Sequence, residues 1–191
     1  MKKRLILAST SPRRKELLAQ IGLEFDILPG DYEEDMTKDL VSEELAKELA
    51  YGKAQDVANK VESGVVIGCD TFIEHEGKKM GKPKSEEDAK NILRSISGQV
   101  IKVYSGVAII DKDSDREVVD FEVTDIKIKE LSEKEIDDYI ATGEPLDKAG
   151  AFAIQGRGAV FVEKVDGCYS SVVGMPLFRL YAGLQKLGID I

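Results

Sequence analysis

The sequence predicts an α/β protein in which a mixed β-sheet is covered by helices on both faces. Three observations carry that expectation. Short apolar runs such as Leu5-Ile6-Leu7 and Val65-Val66-Ile67-Gly68-Cys69 read as buried strands. They alternate with segments whose apolar residues recur at helical spacing, as Leu45, Leu49, Val57 and Val61 do. Two longer apolar stretches, over 100–110 and 117–128, flank the polar turn at 111–115 and put a hairpin in the middle of the chain. The alternation predicts sheet and helix layers, and the central hairpin predicts a second lobe with a cleft beside it. At 191 residues the chain fits one domain over 1–191 with a sizeable core.

The elements follow in order. A strand over 4–8 runs into Ser9-Thr10-Ser11, and a helix starts at Pro12 and stops at Gly22. Ser11 is the expected N-cap, and Pro12 loses nothing where its missing N–H has no helical partner. A short strand over 25–28 leads to an acidic loop over 29–37, and a helix begins at Ser42, weakened in its middle by Gly52. The strand over 65–69 ends at Asp70, and a hairpin turns at Glu76-Gly77. Ser85-Glu86-Glu87-Asp88 reads as a capping box for a helix that buries Ile92, Leu93 and Ile96 and stops at Gly98. Ser132-Glu133-Lys134-Glu135 opens another helix, ended by Gly143. Strands are expected over 151–154 and 160–165, and Pro176 starts the last helix.

Composition narrows the function. The net charge of −9 argues against a nucleic-acid surface, which carries a basic stripe. It leaves room for a small anion held by a few cations and a divalent metal, for which surplus carboxylates are suited. No apolar run approaches a membrane span, and the basic start Met1-Lys2-Lys3-Arg4 lacks the long apolar region of a signal peptide. Cys69 and Cys168 form no metal or disulfide pattern, so a reducing, cytoplasmic setting is expected. His75 is the only histidine and sits in the hairpin segment, which disfavours Ser-His or Cys-His catalysis.

The chemistry concentrates in a few places. Ala8-Ser9-Thr10-Ser11-Pro12-Arg13-Arg14 joins a strand, a hydroxyl-rich turn and a helix N-terminus bearing two guanidinium forks, a seat for a phosphate chain. Asp70, after a buried strand, is placed to accept a proton from water or to hold a metal, because ligands gather at the carboxyl ends of strands in open sheets. Glu33 and Glu34 offer a magnesium ligand from the acidic loop. Lys82, stiffened by Pro83, and Lys53 are candidate phosphate contacts. Gln155, between Ile154 and Gly156, offers one acceptor and one donor to a base edge.

Together these motifs resemble one family, the Maf proteins, nucleoside triphosphate pyrophosphatases first associated with septum formation. The likeness spans nearly the whole chain through Ala8-Ser9-Thr10-Ser11-Pro12-Arg13-Arg14, Asp70-Thr71, Gly81-Lys82-Pro83, Gly143-Glu144-Pro145-Leu146-Asp147-Lys148-Ala149-Gly150 and Ile154-Gln155-Gly156. The resemblance implies an α/β fold with a twisted mixed sheet and a cleft between two lobes, like that of inosine triphosphate pyrophosphatases. It implies Mg²⁺- or Mn²⁺-dependent hydrolysis of a nucleoside triphosphate to monophosphate and pyrophosphate, and a homodimer. Asp70 then matches the proton acceptor, and Ser9, Arg13, Arg14, Glu33, Lys53 and Lys82 match positions lining the phosphate and metal site, with Glu33 and Asp70 on the metal. Arg13, Thr71 and Gln155 match positions tied to choice of dTTP and UTP. Arg13 separates the chain from the branch acting on 7-methyl-GTP, where an aromatic residue is common. Cys69 and Phe72 depart from the usual small and β-branched residues beside the aspartate.

The expected mechanism has Asp70 polarising a water that attacks the α-phosphorus, with the pyrophosphate charge met by the metal, Lys82, Lys53 and the arginines. Gln155 pairs with the O4/N3–H edge of uracil or thymine. The dTTP/UTP pyrophosphatase reading carries with it the prevention of modified-nucleotide incorporation and a link to cell-division arrest. Two other classes fit the same residues: a non-catalytic nucleotide-binding regulator of septum formation, and a pyrophosphatase specific for modified nucleotides.

Overall fold

The computed structural model describes residues 3–190. Its strands are β1 (Leu5–Leu7), β2 (Asp26–Ile27), β3 (Val65–His75), β4 (Lys78–Met80), β5 (Val100–Asp111), β6 (Arg116–Ile128) and β7 (Val162–Asp166). Its helices are α1 (Pro12–Gln20), α2 (Ser42–Ala58), α3 (Glu86–Ile96), α4 (Glu133–Ile140), α5 (Tyr169–Val173) and α6 (Leu177–Lys186). The strands form one mixed sheet in the order β2-β1-β3-β5-β6-β7, with β4 on β3. β1 pairs parallel with β2 and β3, while β3–β4 and β6–β7 are antiparallel. The expected α/β class with a helix-flanked mixed sheet is what forms.

The chain divides into two compact units, one over 1–70, 105–122 and 174–191, the other over 71–104 and 123–173. In the first, α2 lies directly on the sheet. A Cβ at Gly68 would stand 2.5 Å from the Ala50 carbonyl and 2.6 Å from the Ala54 amide, and one at Gly106 would collide with the Ala46 carbonyl. Ala46, Ala50 and Ala54, one helical turn apart, form the matching seam. Ile6, Val57, Val66 and Ala108 bury the remaining apolar surface there. In the second unit Ile92, Leu93 and Ile96 of α3 pack with Ile136 and Ile140 of α4, Ile101, Ile126 and Phe161.

Several local expectations change. β3 does not end at Asp70; it continues to His75, because Thr71, Phe72 and Ile73 are themselves good strand residues. The helix begun at Ser42 runs unbroken through Gly52 but ends at Ala58, so Val61 lies outside it. Ser132 and Glu135 close a full capping box. Ser85 accepts the Asp88 amide, but the Asp88 carboxylate takes the Lys84 amide, so that box closes on one side only. Ser11 is the N-cap residue of α1, but its hydroxyl makes no cap bond. No strand forms over 151–154. Ala151 holds a left-handed φ of 57°, unsuited to a strand, and the Ala153 amide bonds the Tyr139 hydroxyl rather than a ladder partner. Residues 157–161 form a 3₁₀ turn before β7, and the short α5 has no apolar period long enough to announce it. Among the described residues no helix is long and apolar enough to cross a membrane.

Candidate active site

The site in the first unit grows from β1. Leu5, Ile6 and Leu7 are buried and pair in register with Val65, Val66 and Ile67, and the Ala8 amide donates to the Ile67 carbonyl. The turn over 9–11 therefore leaves the sheet beside the stretch of β3 that carries Gly68, Cys69 and Asp70. Ser9 closes that turn: its Oγ accepts the Ser11 amide at 3.2 Å and the Arg14 Nη1 at 3.2 Å. Arg14 also donates Nε to the Gly174 carbonyl at 3.0 Å. One guanidinium is thus fixed against the helix start. Arg13, half-buried, enters no ion pair among the described residues.

Strand alternation explains Asp70. Gly68 faces α2, so Asp70, two residues on, projects from the same face of the sheet. There it meets Lys53, next to Ala54 in the seam. The Lys53 ammonium donates to Asp70 Oδ1 at 2.5 Å and pairs with Glu34 Oε1 at 2.6 Å. Asp70 is only 4% exposed. The pair fixes the orientation of the carboxylate and leaves Oδ2 to a second partner. Cys69 is fully buried, and burial pushes its thiol up to about 11 against the pull of Arg14 and Lys53. It is a packing residue, not a thiolate nucleophile.

The loop over 29–38 runs along α2 and is fastened at four-residue steps. The Asp31 amide donates to Asp56 Oδ2 at 2.7 Å, and Lys60 bridges Asp31 and Asp56. The Tyr32 ring covers Gly52. Glu34 reaches Lys53, and Lys38 reaches Glu48 at 2.6 Å. Glu33 stands exposed between the seated Tyr32 and the paired Glu34. No group of three His, Cys, Asp or Glu side chains that could hold a metal occurs among the described residues. Asp70, with Glu34 on the same Lys53 ammonium, nevertheless offers hard-oxygen donors beside the Ser9–Arg14 turn. That chemistry fits a magnesium-type ion, which takes one or two carboxylates and fills the rest with water and phosphate oxygens.

The other expected residues lie in the second unit. Thr71 is half-buried in β3. Lys82 is exposed next to the buried Pro83, and the Gly150 amide donates to the Gly81 carbonyl at 3.0 Å, tying that segment to the loop over 143–158. Glu144 organises this loop. Its carboxylate accepts the Tyr139 hydroxyl at 2.7 Å, the Arg157 amide at 3.0 Å and the Gly158 amide at 3.2 Å. Burial raises the Glu144 carboxyl, but those donors outweigh it and hold the group below its ordinary value. Burial and the Glu144 carboxylate push the Tyr139 phenol well up. Gln155 is exposed on the turn just before Gly156, not at a strand end as the sequence suggested.

The structure therefore brings Ser9, Arg14, Lys53 and Asp70 together and adds Glu34. The sequence offers Lys53 as a phosphate contact and Glu34 as one of two loop carboxylates; the pairing of Lys53 with both Glu34 and Asp70 is what the structure adds. The readable signal was Lys53 beside the Ala46-Ala50-Ala54 seam. Glu144 and Tyr139 were not singled out as supports.

The sequence model of a family described as "Maf-like protein" matches residues 4–187. A protein of Caldicellulosiruptor bescii named dTTP/UTP pyrophosphatase is 50% identical over 193 residues, covering 99% of this chain and 97% of its own. A protein of Alkaliphilus oremlandii with the same name is 48% identical over 185 residues, covering 96% of each chain. Among solved structures, the Ham1 protein of Staphylococcus aureus matches with a TM-score of 0.46 at 14% identity, over 66% of this chain and 72% of that one.

Proposed function

The chain belongs to the Maf-like protein family and is a nucleoside triphosphate pyrophosphatase, and we propose that it hydrolyses dTTP and UTP to the monophosphate and pyrophosphate. The observation that carries the reading is the buried Asp70 carboxylate, held through Oδ1 by Lys53 beside the Ser9–Arg14 turn. Asp70 Oδ2 takes the proton of the water that attacks the α-phosphorus. Arg14, oriented by Ser9 and the Gly174 carbonyl, and Arg13 receive phosphate oxygens at the N-terminal end of α1. Lys53 also bridges to Glu34, so the acidic loop and the base share one ammonium.

Phosphoryl transfer relies on positioning and charge neutralisation more than covalent help, and these groups supply both. Glu33 and Asp70 would hold a Mg²⁺ or Mn²⁺ ion, which would supply neutralisation of phosphate charge there. Lys82 supplies a further cation for the leaving pyrophosphate. Thr71 and Gln155 contribute to choice of base, the amide of Gln155 offering the acceptor and donor that the uracil or thymine edge complements.

Pyrophosphate release from dTTP, UTP, CTP and GTP, with and without chelator, tests these roles. Asp70→Asn is expected to lose at least about 10²-fold in turnover while still binding nucleotide. Near wild-type turnover in that variant overturns the assignment. Equal rates on all four nucleotides overturn the base reading, and undiminished turnover in chelator overturns the metal.

A further inference from the structure

Gly52 sits in the middle of a 17-residue helix, where glycine is a poor helix former. Its missing side chain is used. A Cβ at this position would collide with Cε2 and Cζ of Tyr32 and stand 2.8 Å from its hydroxyl oxygen. The Tyr32 ring therefore occupies a notch on α2 where a side chain at 52 would lie. Burial raises its phenol above the ordinary value, with Lys38, Glu48, Asp70 and Lys53 all acting on it.

The other fasteners of the 29–38 loop are ion pairs with at least one well-exposed partner and one exposed amide hydrogen bond, from Asp31 to the Asp56 carboxylate. Lys38–Glu48 is 35% and 44% exposed, and Asp31 on Lys60 is 91% exposed. Such pairs tolerate slippage because solvent competes for both charges. A ring in a backbone notch does not, since moving it by an ångström either opens a gap or drives it into the helix. Tyr32 immediately precedes Glu33 and Glu34, so the ring sets the position of both carboxylates.

We infer that Tyr32, seated in the notch left by Gly52, is a positioning residue that places Glu33 and Glu34 against the Lys53–Asp70 pair. The inference rests on the reading of that pair as the catalytic centre. Tyr32 touches no reacting atom; it acts through the two glutamates.

A double-mutant cycle tests it on the full chain with dTTP as substrate. Gly52→Ala places a methyl where the ring lies, so kcat/KM is expected to fall roughly tenfold to a hundredfold. The thermal midpoint should hold or rise, because alanine is the better helix former. Tyr32→Ala should lose a similar factor, and Tyr32→Phe should recover most of it. The decisive comparison is Gly52→Ala in the Tyr32→Ala background. There the methyl displaces nothing, so no further loss is expected, and hydrogen exchange of the 29–38 amides should quicken equally in all three disruptive variants. Gly52→Ala with wild-type turnover, or losses that multiply in the double variant, would overturn the role of Tyr32. A wild-type protein inert toward every nucleoside triphosphate would instead remove the catalytic reading, and quickened exchange in Gly52→Ala would still report the seat.

Discussion

The loops over 29–38 and 143–158 look alike in sequence, both irregular, charged and carrying expected site residues, yet they are held by different physics. The first lies on the outside of α2, fastened by exposed ion pairs and one aromatic ring. The second is built around a half-buried carboxylate that accepts two backbone amides and the hydroxyl of a buried tyrosine, which itself accepts a third amide. Exposed pairs exchange one set of partners for water at little cost. Buried donors have no such exchange available. The loop carrying the glutamates is thus adjustable about a single pivot, whereas the loop carrying Gln155 is rigid.

The largest expected effect is on the rigid loop. Glu144→Ala strands the Tyr139 hydroxyl and the Gly158 amide and leaves the Arg157 amide to water. At about 1–3 kcal/mol for each buried donor left unsatisfied, the cost should be about 3 kcal/mol, read from urea unfolding. A loss below about 1 kcal/mol would break the contrast between the loops. Tyr139→Phe should cost less, about 1–2 kcal/mol, because it removes one donor to Glu144 and leaves the Ala153 amide without its acceptor.

Acid sharpens the same contrast. Burial raises the Glu144 carboxyl, but the Arg157 amide, the Tyr139 hydroxyl and the Gly158 amide pull it below the ordinary 4.5. A folded value below the unfolded one means stabilisation that is complete above about pH 4.5 and lost as pH falls through the folded value. Glu144→Gln keeps an acceptor but cannot titrate. The wild-type urea midpoint should therefore fall more between pH 6 and 3.5 than that of the variant. Parallel curves for the two proteins would remove Glu144 as the titrating support.

The elements that were legible in the sequence are those whose cause is local. β1, the Pro12 start of α1 and the Ser132 box follow from neighbours within a few residues. The seat of Tyr32 on Gly52 joins residues twenty apart, and the only trace it leaves in the sequence is a glycine that weakens a helix. The apolar run 151–154 looks like a strand because burial and alternation are shared by strands and packed turns. What decides between them is the Tyr139 hydroxyl taking the Ala153 amide, a contact no periodicity shows. Asp70 was readable as a residue but not as a partner. Its pairing with Lys53 depends on α2 lying flush on Gly68, and that requires the alanine seam to be seen as one surface.

The smallest expected effect falls on the adjustable loop. The Debye length shrinks from about 10 Å at 0.1 M salt to about 3 Å at 1 M, so exposed pairs weaken over that range. Lys38–Glu48 and Lys60–Asp31 should weaken most, and Lys53–Glu34 least, because Lys53 is only 16% exposed. Amide exchange over 29–38 should quicken by about two- to fivefold between those salt concentrations, while exchange over 143–158 stays level. The quickening stays small because the Tyr32 ring is insensitive to salt and still holds the loop at its middle. In Tyr32→Ala that restraint is gone, so the salt response of the same amides should grow. An unchanged response there would mean that the ion pairs alone hold the loop.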